Sequence, residues 1–199
     1  MKMSLFRHAS PVQQITTFVI LLGLSFIFLS CQALGPIVRP AACLPAFPDR
    51  DGWYGADGAY SIGLDENRTL WLFGDTFVSD EPGRKDRIGM DVLLGNTVAV
   101  STCRPGPGFS IRYFVKKRND KFVSFFGENE FLWPQDPFIA GKVLYIPLLV
   151  VQAAPDAPAP FNFKIGGFKI ARIADFTADD PRDWPVRYLD WTRAVAGVV

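Results

Sequence analysis

Asp57 and Asp75 stand near the two ends of "GADGAYSIGLDENRTLWLFGDTF", residues 55–77, and a third acid, Asp136, sits in "WPQDPF". Two carboxylates held close together cannot both ionise easily, so such a pair supplies an acid and a base from one residue type. Glycosidic-bond hydrolysis needs two such groups, about 5–5.5 Å apart for retention and about 6.5–9.5 Å apart for inversion. A competing reading applies to each acid singly. Asp beside Gly also serves turns by hydrogen-bonding its own backbone, and Asp before Pro favours extended or turn conformations.

Aromatic residues accompany two of the acids. Trp53 and Tyr60 flank Asp57, and Trp133 precedes Asp136 by three positions. Aromatic faces bind sugar rings and line clefts, which makes Trp53, Tyr60 and Trp133 candidate substrate-binding residues; the alternative is that they fill the core. Arg68, Arg87 and Lys142 are basic enough to neutralise carboxylates, but no pattern assigns them there.

Other chemistries are narrowed by a single count. The chain has one histidine, His8, and it lies in the N-terminal segment. Ser-His-Asp and Cys-His catalysis and His-containing zinc sites are thereby excluded from the remainder, leaving Asp, Glu, Lys, Tyr, Arg or a metal held by oxygen ligands. No metal site and no cofactor is expected.

The acids are positioned by strands. Ala59–Leu64 and Thr69–Phe73 read as one hairpin joined by Asp65, Glu66, Asn67 and Arg68. Because antiparallel strands return on themselves, Asp57 and Asp75 lie together at the end opposite the turn. With Leu64 opposite Thr69, Asp57 falls opposite Thr76, and a one-residue bulge would set it opposite Asp75, so the direction of the side chains stays open. Asn96–Thr102 and Ile111–Val115 complete four short antiparallel strands. A looser echo follows in "WPQDPFIAGKVLYIPLLVV", "FKIGGFKIARIADF" and "VRYLDW", with Asp136 placed 79 residues after Asp57. A recurring four-stranded unit is how propeller blades look in sequence, with a β-sandwich as the rival architecture. The fold class is therefore all-β: a partial propeller of about two four-stranded antiparallel blades, so that the chain reads as a fragment or as one completed by another chain.

The first 30 residues are set aside. Lys2, Arg7 and His8 form a basic start, Thr17–Ser30 is uncharged and apolar, and the run ends in Phe28-Leu29-Ser30-Cys31. This is a secretory signal layout resembling a bacterial lipobox, with Cys31 as the lipidation site; an ordinary cleaved signal or an uncleaved anchor is the alternative. Residues 31–50, with four prolines, read as a tether, and 51–199 as the folded body. An exported cell-envelope protein follows, anchored to a membrane by lipid. Beyond residue 30 there are 19 Lys and Arg against 20 Asp and Glu, a balance that gives no support to nucleic-acid binding. Cys43 and Cys103 are then a candidate disulfide, with two buried thiols as the alternative.

With the D-G-A-Y-S and L-F-G-D-T pieces, "GNTVAVS" and "WPQDPFIAGKVLYIPLL" in view, residues 50–191 resemble a bacterial family of secreted five-bladed β-propellers. That family is long catalogued as a domain of unknown function, and some members are endo-D-arabinanases. The resemblance implies that Asp57 lies on the inner strand of a first blade as a catalytic carboxylate, with Asp75 as its partner. It further implies that Asp136 is the second-blade acid, which orients substrate or tunes a neighbour. Propeller hydrolases of this kind draw a general acid, usually Glu, from a later blade, and this sequence contains no matching position. The function implied is hydrolysis of a polysaccharide or oligosaccharide, arabinan among the options. A non-catalytic carbohydrate-binding or surface-interaction lipoprotein is the alternative.

Overall fold

The computed structural model describes residues 43–84, 86–104, 108–127, 130–156, 158 and 162–190. The signal segment 1–30, Cys31 and the tether up to residue 42 lie outside the described residues.

Among the described residues the protein is all-β, with a single 3-10 turn at Pro181–Asp183 and no α-helix. The first hairpin forms where its turn chemistry predicts. Asp65 Oδ1 accepts from the backbone N–H groups of Asn67 and Arg68, both at 2.8 Å, and the Arg68 guanidinium returns to Asp65 Oδ2 at 2.6 Å. The strands β2 (Tyr60–Gly63) and β3 (Arg68–Phe73) run from that turn in a register that pairs Gly63 with Thr69 and Tyr60 with Leu72. Leu64 therefore closes on Arg68 rather than Thr69, its N–H reaching the Arg68 carbonyl at 2.8 Å, and the expected register is corrected by one residue.

The ribbon continues past the acids as β1 (Trp53–Ala56) paired with β4 (Thr76–Val78). Between the two halves each strand is broken, at residues 57–59 on one side and 74–75 on the other. The halves then part company. β3 passes on to β6 (Thr97–Arg104) and β7 (Gly108–Phe114) in a four-stranded antiparallel meander, whereas β4 pairs with β5 (Asp91–Leu93) in a separate three-stranded sheet. β5 and β6 are themselves consecutive and separated only by residues 94–96. Three neighbouring strands thus break at one level, and the two aspartates sit on that line.

A small hairpin, β8 (Lys116–Arg118) with β9 (Lys121–Val123), leads to the second meander. There β11 (Phe138–Ala140), β12 (Val143–Ala153), β13 (Phe163–Ile173) and β14 (Val186–Asp190) follow in order, and β10 (Phe131–Pro134) pairs with the far half of β12. Alternation of side chains makes the core. Leu70, Leu72, Val98 and Phe114 of the first meander and Leu144, Ile146, Leu148, Ala171 and Ile173 of the second are buried in one cluster. The first meander is covered on its other face as well, by a cluster of Trp53, Phe73, Ala99, Ile111 and Tyr113.

Within residues 43–50, two points are fixed to the body: Phe47 packs against that second cluster and Cys43 is bonded to the first meander. Phe47 makes edge contacts with Trp71, Phe73 and Phe109 at 4.9–6.4 Å, and Cys43 is joined to Cys103 by a disulfide. The packed body thus begins before residue 50.

Candidate functional site

Asp57 and Asp75 meet across the break in the ribbon. The Asp57 N–H donates to the Asp75 carbonyl at 3.0 Å, and the Gly74 N–H donates to the Asp57 carbonyl at 2.8 Å. The register is the same on both sides of the break, Tyr60 with Leu72 and Ala56 with Thr76, so Asp57 faces Asp75 without an inserted residue. Gly74 explains the glycine in the sequence motif. A Cβ at that position would stand 2.0 Å from Asp57 Oδ1 and 3.2 Å from its Cγ. Only a residue without a side chain lets the Asp57 carboxylate lie against the opposite strand. The Asp57 side chain is exposed, yet its pKa lies above the ordinary carboxylate value. Partial burial is the largest cause and the neighbouring Asp75 charge the next, while the Asp75 backbone N–H acts in the opposite direction.

Asp75 is held differently. It is half-buried, and its Oδ1 accepts from the Gly95 N–H at 2.7 Å and from the Trp133 indole N–H at 3.1 Å. The two donors come from different elements: Gly95 from the 94–96 break of the first meander, Trp133 from β10 of the second. Gly95 has φ of +118°, and a Cβ there would lie 2.3 Å from Ser124 Oγ, so the donor is supplied at a position that a side chain could not occupy. Thr76, next to Asp75, is fully buried and shares a hydroxyl–hydroxyl contact of 2.9 Å with Thr97, which anchors the strand that carries Asp75.

A cavity of about 300 Å³ opens beside Asp75, lined by Leu94, Phe131, Trp133, Val151, Ala153, Asn162 and Phe163. Trp133 stands edge-on to Phe163, with centroids 4.9 Å apart. The arrangement is one carboxylate, oriented by two N–H donors, at the edge of an aromatic hollow. It suits a ligand with an apolar face and hydroxyl groups.

The other candidate residues divide. Trp133 is brought to the acids. Trp53, read as a binding platform, is instead 4% exposed and stacked on Tyr113 at 4.3 Å, so its face is not offered to a ligand. Tyr60 packs against the main core and does not border the cavity. Asp136 is exposed, lies between β10 and β11, and makes no hydrogen bond or ion pair among the described residues. Arg68 is occupied by Asp65, Asp179 and the carbonyls of residues 176–178, and Arg87 by Asp49 and the Tyr54 carbonyl. Neither neutralises the acid pair. Among the described residues no group of three or more His, Cys, Asp or Glu side chains is arranged to hold a metal ion.

The sequence reading missed Gly95 and Phe163. Gly95 had a local signal, a glycine interrupting the apolar run "VLLGNTV"; Phe163 had none, because its role depends on where β13 crosses β12.

A family model described as a domain of unknown function, DUF5005, matches residues 46–179. The chain belongs to that family. The DUF5005 region contains Asp57, Asp75, Gly95, Trp133, Asp136 and Phe163, and it begins within the packed 43–50 segment. No curated protein matches the chain. A crystal structure from Bacteroides ovatus ATCC 8483, of a protein provisionally named a hydrolase, is similar to this DUF5005 chain at 14% identity and a TM-score of 0.48. The match covers 70% of this chain and 40% of that one, so the chain spans well under half of the Bacteroides protein's length.

Proposed function

We propose that this DUF5005 protein supplies part of a propeller-type glycoside hydrolase that, with its remaining blades supplied, cleaves a polysaccharide or oligosaccharide, arabinan among the candidates, by paired-carboxylate chemistry. The observation that carries the reading is the meeting of Asp57 and Asp75 across a three-strand break. One acid has a raised pKa, suited to giving up a proton, and the other is fixed by two N–H donors, suited to acting as the charged partner. Asp136 has the role of a substrate-orienting acid. Trp133 supplies the wall against which a sugar ring rests, and no cofactor is needed.

Export to the cell envelope, with a lipid at Cys31 anchoring the protein to a membrane, is part of the same reading. The Cys43–Cys103 disulfide supports it, because such bonds persist in oxidising compartments. Polysaccharide is the partner, and nucleic acid is not.

The test is turnover of a glycan panel that includes arabinan, read by release of reducing ends. Asp57→Asn and Asp75→Asn each abolish release while circular dichroism stays unchanged. Undiminished rates in both variants would end the assignment. A second reading, a carbohydrate-binding protein without catalysis, is favoured by one observation: the aromatic cavity borders Asp75 but not Asp57. Glycan-array binding with no product, unaffected by Asp57→Asn, would select it.

A further inference from the structure

A second groove, of about 590 Å³, lies between the 116–127 segment of the first half and the end of the second meander. Lys116, Lys169 and Arg182 line it together with Glu130, its only lining carboxylate among the described residues. Two of the three cations are already matched. Lys169 Nζ sits 2.6 Å from both Glu130 oxygens, and Arg182 Nε lies 2.9 Å from Asp180 Oδ1. Lys116 is not matched. Its Nζ donates to the Phe125 carbonyl at 3.2 Å and stands 4.9 Å from the Phe125 ring centroid, with no carboxylate in ion-pair reach among the described residues.

Three physical facts set Lys116 apart from a solvated surface charge. An ammonium has three N–H donors, and the Lys116 hydrogen bond uses one. Burial first, then Arg118 and Arg182, push the Lys116 pKa down, so a positive charge here is held at a cost that an incoming anion would remove. The surroundings also offer a face for a ring: Trp184 is buried at the floor, and Tyr188 stands at the rim with its hydroxyl accepting the Gly127 N–H at 3.1 Å.

We infer that this groove binds an oxyanion, with Lys116 as its principal contact and Arg182 as its second. The anion is either the carboxylate of an acidic sugar, whose ring would lie against the exposed Tyr188, or a phosphate group. The inference does not rest on the paired-carboxylate reading, since Asp57 and Asp75 do not line this groove.

The experiment is isothermal titration of the folded chain at low salt with trigalacturonate, with its fully methyl-esterified form, and with inorganic phosphate. Trigalacturonate binding more tightly than phosphate identifies the acidic sugar as the source, and the reverse order identifies phosphate; the ester, which keeps shape and loses charge, does not bind. Lys116→Met weakens the favoured anion by about tenfold to a hundredfold, the range for losing a charge-assisted hydrogen bond, and Lys116→Arg restores it. Asp57→Asn changes nothing here, which separates this result from the fate of the hydrolase reading. If Lys116→Met proves unfolded by circular dichroism, Arg182→Gln takes its place with the same expected direction. The inference is overturned if the ester binds as well as the acid, if neither anion binds, or if the folded variants bind like the parent.

Discussion

Gly74→Ala is the sharpest probe of how the acid pair is built. The new Cβ would lie 2.0 Å from Asp57 Oδ1, 3.2 Å from Cγ and 3.4 Å from the Asp57 carbonyl oxygen, against ordinary contacts of about 3.4 Å or more. Gly74 has no positive φ, so backbone strain contributes nothing and the whole effect comes from that contact. The carboxylate can escape only by rotating off the Gly74 backbone, which breaks its hydrogen bond from the Asp75 N–H. The cost expected is about 1–2 kcal/mol, between a lost hydrogen bond and a strained insertion. In a body of this size that corresponds to a fall in Tm of roughly 2–8 °C. Urea unfolding followed by tryptophan fluorescence measures it. The decisive arm is the same substitution in an Asp57→Ala background, where the obstructing group is gone and Gly74→Ala should become close to neutral. A coupling of about 1 kcal/mol or more between the two positions is expected. If the two effects simply add to within about 0.5 kcal/mol, the carboxylate is not what requires a glycine at 74, and the reasoning fails.

Further outcomes follow from other contacts. Trp133→Phe keeps an aromatic wall but removes the indole N–H from Asp75, so turnover or glycan affinity should fall by about tenfold, the equivalent of about 1.5 kcal/mol for a bond to a charged group. Reducing the Cys43–Cys103 disulfide opens a loop with a sequence separation of 60, and the chain-entropy model gives roughly 4 kcal/mol of lost stability, visible as a Tm drop on adding dithiothreitol. For Asp57 the folded-state pKa is raised, so the folded chain holds that proton more tightly than the unfolded chain. Its contribution favours folding at pH below the ordinary carboxylate value of 3.8 and is lost as pH rises through the folded-state pKa. Asp57→Asn should therefore be more stable than the parent at pH 7, with a margin that shrinks towards pH 3 in denaturation curves. Asp136→Asn should leave stability within about 0.5 kcal/mol, since the side chain is exposed and unbonded, so any large loss of turnover would report contact with substrate.

The local parts of this structure were legible in the sequence and the distant parts were not. The 65–68 turn announced itself because Asp65 and Asn67 carry turn chemistry on their own, and the largely apolar run Thr69–Phe73 marked a strand; that both its faces are covered came from the packing. The register slipped by one because Leu64, an apolar residue at the end of an apolar run, reads as a strand member, while its N–H in fact closes the turn on Arg68. Trp53 and Trp133 were indistinguishable as aromatics near an acid. What separates them is long-range: the 43–50 segment folds back to bury the environment of Trp53, whereas β10 crosses to Asp75 from 58 residues away. The proximity of Asp57 and Asp75 needed only the antiparallel return of the chain; the donors that orient Asp75 needed the breaks and crossings that no local pattern encodes.

The two meanders differ at the one place that matters for chemistry. In the first, the strand opposite Asp57 is interrupted at Gly74 and Asp75, and the next break brings the Gly95 N–H onto Asp75, so the interruption creates both a second acid and its donor. In the second, the strand opposite Asp136 runs unbroken from Val143 to Ala153, and Pro147 accepts the Gln135 N–H at 2.9 Å where the first meander has its glycine and acid. Continuity keeps β10 and β11 on a single partner and leaves Asp136 without a facing carboxylate. The same sequence echo therefore yields a paired site in one unit and a solitary acid in the other. The cause lies in the partner strand rather than in the acid: a glycine that admits a carboxylate over its backbone, followed by an aspartate, is what turns a strand break into a candidate centre.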